Sequence, residues 1–170
     1  MTIDIEKLIE MSLSGARSVI EEGGTWSPLL HIVPSEGVWS VFLRGMIADP
    51  CRKNLVEILI KSRMKELNGI VAIMISDTWV GDATPADSLR PSLQDPFPGR
   101  AEALAVEMWW RDGVAECGLQ MYRRCADGKV VFEELQWQEP STEFRFAGRN
   151  IEQKANVLGV PAGSKKGYIN

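Results

Sequence analysis

Three alternating runs in the C-terminal half constrain this chain more than anything else in it. Residues 101–111, 114–124 and 129–137 are each long enough for a strand, separated by Asp112-Gly113 and by a second short connection that contains Ala126-Asp127-Gly128. Asp-Gly between alternating runs is a strong hairpin signal, because tight turns need positive φ, which Gly adopts freely and Asp tolerates. A three-stranded meander follows, and the rest of the fold must be built around it. In its first strand Leu104, Val106, Met108 and Trp110 fall on one face, and Ala101, Ala103, Ala105 and Trp109 on the other. Neither face is polar, so both demand cover.

Upstream, residues 5–22 place Ile5, Leu8, Ile9, Leu13, Ala16 and Ile20 at helical spacing, and Gly23-Gly24 supplies the stop. Residues 27–33 and 38–43 are short apolar strands joined by the turn Pro34-Ser35-Glu36-Gly37. A second helix runs from the cap Asp49 and Pro50 to Asn68-Gly69, with Val56, Leu59, Ile60, Met64 and Leu67 turned inward and Arg52, Lys53, Glu57, Lys61 and Lys65 in water. Residues 70–78 begin with six residues apolar on both faces, which predicts a central strand covered on both sides, or covered on one side and mated on the other. The expected fold class is α+β: an antiparallel sheet of about six strands with two helices on one face, in the order α-β-β-α-β-β-β-β. Residues 1–139 form the domain, and 140–170, where periodicity fails, form an irregular C-terminal tail.

Composition sets the broad class. A chain of 170 residues with 45% hydrophobic and 25% charged residues is a globular domain able to bury a sizeable core. No apolar stretch is long enough for a membrane helix, and residues 1–7 lack the pattern of a secretory signal, so cytoplasmic residence is expected. Three cysteines, Cys51, Cys117 and Cys125, form no disulfide framework and no zinc-ligand spacing. The net charge of −4 divides into a tail at +3 and a body at −7, which argues against a nucleic-acid groove.

Between the central strand and the meander lies the proline-rich segment 80–100, far longer than the connections of about 4 to 6 residues usual in compact domains. Such a loop is either functional or disordered. Asp77, Asp82, Asp87, Asp95 and Glu102 cluster around it, and converging carboxylates are what a divalent cation needs for phosphodiester hydrolysis. The Glu-x-Lys triplet of nuclease sites does not follow the loop; Glu152-Gln153-Lys154 stands in the tail. Hydrolytic triads fare worse. The single histidine, His31, cannot meet both Ser76 and Asp77, since neighbours on a strand face opposite ways. Cys51, at the start of the second helix, gains thiolate character from the helix end and loses it to Asp49. With helices on one face only, Trp109 or Trp110 needs cover from the loop, the tail or a second copy, and a homodimer is expected.

The segment Ile73-Met-Ile-Ser-Asp-Thr-Trp79, the prolines after it and Pro98-Gly-Arg100-Ala-Glu102-Ala-Leu104 together resemble a group of short bacterial and phage-associated proteins of unassigned function. The resemblance covers about residues 70–135 and implies a grouping without an activity. The expectation is a non-catalytic binding or accessory protein, without cofactor or metal, that engages a protein partner or its own second copy. Trp79, Asp82, Arg90, Asp95, Arg100, Glu102 and Trp109 are its binding residues. Arg100 and Glu102 share a strand face and serve equally as an ion pair at the loop base. The rival is a metal-dependent hydrolase built on Asp77, Asp82, Asp95 and Glu102.

Overall fold

The structure, a computed structural model, describes residues 3–44, 50–80, 101–138 and 151–153, with side chains omitted at 50–54, 79 and 151–153. Helix α1 spans Ile5–Glu21, strands β1 and β2 span Leu29–Val33 and Trp39–Phe42, and helix α2 spans Pro50–Glu66. Then come β3 (Val71–Val80), β4 (Ala101–Trp110), β5 (Ala115–Arg124), β6 (Val130–Phe132), β7 (Gln136–Trp137) and β8 (Ile151–Gln153). This is the α+β fold and element order that the sequence implies.

Capping fixes both ends of α1. The Asp4 carboxylate accepts a hydrogen bond from the Lys7 amide at 3.0 Å. At the other end Gly23, at φ 83°, lets the amides of Gly23 and Gly24 return to the carbonyls of Ile20 and Val19. Asn68, at φ 50°, closes the turn after α2, and the Gly69 amide bonds the Met64 carbonyl at 2.7 Å. A Cβ on Gly69 would stand 2.6 Å from Met64 Sδ and 2.9 Å from Ile32 Cγ2, so only glycine passes between helix and sheet here.

The sheet runs β2-β1-β3-β4-β5-β6, every pair antiparallel. Its long centre is β3 against β4, paired from Val71↔Trp110 to Val80↔Ala101. On the other edge of β3, β1 covers residues 71–75 and β8 covers 78–80. Trp26 lies across the gap, its indole N–H donating to the Ile75 carbonyl at 3.1 Å. The third run of the meander breaks into β6 and β7, both on β5, and between them Leu135 packs against the α1-side core. Within the stretch expected to be irregular, Ile151–Gln153 pairs with Thr78–Val80; the rest of 140–170 lies outside the described residues.

The helices correct one expectation. They occupy opposite faces of the sheet rather than one. Ile9, Leu13, Ala16 and Ile20 of α1 pack on Val71, Ile73, Ile75, Leu104, Val106 and Met108, whereas Val56 and Ile60 of α2 pack on Leu30, Ile32, Ala72, Met74 and Trp109. The cause is topological: β2 and β3 are both antiparallel to β1, hence parallel to each other, so α2 is a crossover that must pass over β1. With α1 already on one face, the crossover fills the other. Trp109 is therefore 5% exposed beneath α2, while Trp110 lies on the α1 side and donates its indole N–H to Glu116 at 2.6 Å. No second copy is required to cover either. A smaller correction concerns Glu57 of α2, expected in water, which is buried and accepts from Lys61 one turn on at 2.6 Å. Among the described residues, no helix is long and apolar enough to cross a membrane.

Candidate functional site

Where β3 ends, β4 begins and β5 ends, four polar side chains meet on the α1 face at the base of the 81–100 connection. Strand alternation puts them there: Asp77 continues the row of Val71, Ile73 and Ile75, and Glu102 that of Leu104 and Val106. Tyr122 stands directly across from Glu102 in the β4–β5 ladder. Asp77 and Tyr122 are both 4% exposed, and the Tyr122 hydroxyl donates to Asp77 Oδ1 at 2.7 Å. Glu102 Oε1 lies 3.3 Å from the same hydroxyl, and Glu102 Oε2 lies 3.5 Å from Arg124 Nε.

Arg124 holds the group to the helix. Its Nη1 donates at 3.3 Å to the Ile20 carbonyl, which already accepts the Gly23 amide, in the last turn of α1, where a cation also opposes the negative end of the helix dipole. Its guanidinium stands 5.9 Å from the centre of the Tyr122 ring, and Phe132 tilts against that ring at 5.3 Å. Burial first, then the carboxylates of Asp77 and Glu102, pushes the Tyr122 phenol far above its ordinary range, with Arg124 opposing only in part. Tyr122 is thus a permanent O–H donor. Two carboxylates, a phenol and a guanidinium arranged this way act as a fastening between three strands and a helix.

Of the residues marked in the sequence, Glu102 belongs to this cluster, and so does Asp77. The backbone of Trp79 pairs with Glu102 on one side and Glu152 on the other. Asp82, Arg90, Asp95 and Arg100 lie outside the described residues. Trp109 is at the far end of β4 on the α2 face, so the fold does not bring it to Glu102. Tyr122 and Arg124 were not singled out from the sequence, although the alternation of β5 puts them on the same face as Leu104.

His31 is fully engaged elsewhere. Its Nε2 meets Ser12 Oγ at 2.9 Å and its Nδ1 meets Ser40 Oγ at 2.7 Å. Ser12 gives its own proton to the Leu8 carbonyl at 2.9 Å, so it accepts from Nε2–H, and Nδ1 accepts from Ser40. The ring is the neutral ε-tautomer, tying α1 to β2. Ser76 and Asp77 do point to opposite faces, and neither bonds this imidazole.

Burial lowers the His31 pKa from its ordinary 6.5. The unfolded chain then takes up a proton near pH 6.5 that the native chain refuses until lower pH, so stability rises with pH across that window. Full stability holds above pH 6.5 and is lost as pH falls below it, at no more than about 1.4 kcal/mol per pH unit for one proton. Urea melts of the wild type and of His31→Gln between pH 5.5 and 7.5 check this, with a flatter profile expected for the variant.

On the α2 face Glu107 is 4% exposed, and burial, with this carboxylate beside it, pushes the Cys117 thiol up to about 12. Such a thiol stays protonated and unreactive at neutral pH. Among the described residues no three His, Cys, Asp or Glu side chains converge as metal ligands. Comparison with protein-family models, curated proteins and solved structures gives no match. The site's chemistry rests on its own geometry.

Proposed function

We propose that this is a non-catalytic binding or accessory protein whose contact surface is the 81–100 connection, anchored by the Asp77–Tyr122–Glu102–Arg124 fastening. One observation carries the reading: the Tyr122 hydroxyl donates to Asp77 at 2.7 Å while Arg124 faces Glu102, so the carboxylates at the loop base are turned onto groups of the chain itself. A long connection held by a rigid base is the arrangement in which binding residues are carried by loops on a scaffold. The engagement of both His31 nitrogens with Ser12 and Ser40 supports the same view, since it removes the only imidazole from acid–base work.

The rival reading, a metal-dependent hydrolase, draws on the same two carboxylates with Asp82 and Asp95. Thermal melting in millimolar manganese against a chelator separates the two. A ligand present at a hundredfold excess over its Kd stabilises the native state by about 2.7 kcal/mol, on the order of 5 to 10 °C for a domain of this size. The binding reading expects no shift, together with no turnover of an activated phosphodiester. A rise of several degrees overturns it in favour of the hydrolase.

A further inference from the structure

The core under α2 stops at Met74, Trp109 and Ala115, but the sheet face it belongs to runs on. Beyond Met74, strand alternation puts Ser76 and Thr78 of β3 and Ala103 and Ala105 of β4 on that side, with Leu119 and Met121 of β5 across the ladder from the alanines. Ser76, Thr78, Ala103 and Ala105 are all at 0% exposure, although neither alanine belongs to the core under α2. Four small side chains on adjoining strands make a shallow trough. The buried Ser76 hydroxyl has no hydrogen-bond partner among the described residues, and such a group suits a backbone passing over it.

The strand order says which part of the chain passes there. β7 is antiparallel to β5 and β8 to β3, and β3 and β5 are both antiparallel to β4, so β7 and β8 are parallel to each other. β7 lies outside β5 and β8 outside β3, and residues 139–150 join them across the width of the sheet. A crossover between parallel strands is almost always right-handed, as holds also for β2–α2–β3. The β7–β8 crossover travels the sheet in the opposite direction to β2–α2–β3, between strands that point the opposite way. The two reversals cancel, so one hand puts both connections on one face. The α1 face is closed at this end by Ile20, Phe132 and the pair of Arg124 with Glu102.

The length fits as well. Gln138 bonds the Cys117 carbonyl, level with Glu107 and Met74, whereas β8 starts opposite Val80. Across β7-β5-β4-β3-β8 and up from Met74 to Val80, the diagonal is about 28 Å, and an extended chain over 139–150 reaches about 40 Å. In Phe144-Arg145-Phe146 the two rings are two residues apart, so an extended backbone turns both the same way.

We propose that residues 139–150 dock on the sheet face beside α2, seating Phe144 and Phe146 in the trough of Ser76, Thr78, Ala103 and Ala105. Large rings over small side chains give the close packing that a dry interior needs. The occupant is then part of the chain itself, so the 81–100 connection is not needed as cover and is left for the contact role proposed above. The docking does not rest on that role.

Photocrosslinking in the full chain tests the placement, with benzoylphenylalanine substituted for Phe144, for Phe146 or, as the comparison, for Phe97. The probe keeps an aromatic ring at each position. Mass spectrometry of the monomeric product should join positions 144 and 146 to Ala103, Ala105, Leu119 or Met121. Links to α1, no links, or links to the trough from position 97 in their place would each overturn the proposal. Thermal melting gives a second reading that needs no probe. The double variant F144S/F146S should melt on the order of 10 °C below the wild type, and Phe97→Ser within about 2 °C of it. A double variant that melts with the wild type, or a Phe97→Ser loss as large as that of the double variant, counts equally against it.

Discussion

Replacing Trp109 by Ala is expected to lower the free energy of unfolding by about 3 to 5 kcal/mol, the range for removing a buried aromatic side chain and leaving a cavity. Trp109 is 5% exposed and packs with Leu30, Ile32, Leu43, Val56, Ile60, Ala72 and Met74, so the loss falls on the contact between α2 and the sheet. The melting temperature should drop by on the order of 10 °C. Trp110→Ala is the comparison: its ring is half-buried and its indole N–H is held by Glu116, so the cost is smaller, about 1 to 2 kcal/mol. Urea denaturation of the two variants, read from the midpoints at unchanged slope, gives the ranking. Equal, small losses would mean that α2 does not cover Trp109.

That prediction rests on the one architectural point the residues indicated but did not decide. The run Ile70-Val-Ala-Ile-Met-Ile is apolar on both faces, which is what a strand between two layers needs, and Val71, Ile73 and Ile75 do face α1 while Ala72 and Met74 face α2. Which face α2 takes follows from the strand order, because β1 lies between β2 and β3, and pairing partners so distant in sequence leave no mark on local periodicity. The helix itself gives a weak signal, since Leu55 and Ile58 are apolar yet 54% and 56% exposed while Glu57 is buried. The meander was legible because its turns were: Gly113 at φ 91° and Gly128 at φ 84° sit where Asp-Gly placed them.

The candidate site was legible in half. Asp77 and Glu102 stood out as acids at the ends of a long connection. Tyr122 lies 45 residues from its partner Asp77, and they meet only because the turn at Asp112-Gly113 sets Glu102 opposite Tyr122. A turn one residue longer would move Tyr122 to the other face of the sheet. The partner of Arg124 in α1 is the backbone carbonyl of Ile20, and any residue in that turn would supply one, so composition cannot flag it.

The central claim is that these carboxylates fasten the base of the connection and are not held in reserve for a cation. Asp77→Asn tests it through the sign of a stability change. If Asp77 is the acceptor of a structural bond, its amide replacement weakens a charge-assisted hydrogen bond from Tyr122 and puts two N–H donors into a site that offered an O–H. The expected loss is about 1.5 to 3 kcal/mol. The Glu102–Arg124 pair adds little to this, because Arg124 is 41% exposed and its attraction is screened. If instead Asp77 and Glu102 are kept together for a metal, the empty site carries the repulsion of two like charges, and neutralising one relieves it. Urea denaturation of Asp77→Asn beside the wild type at pH 7 therefore decides the matter: a lower midpoint at unchanged slope is the predicted result, and an unchanged or higher midpoint contradicts it.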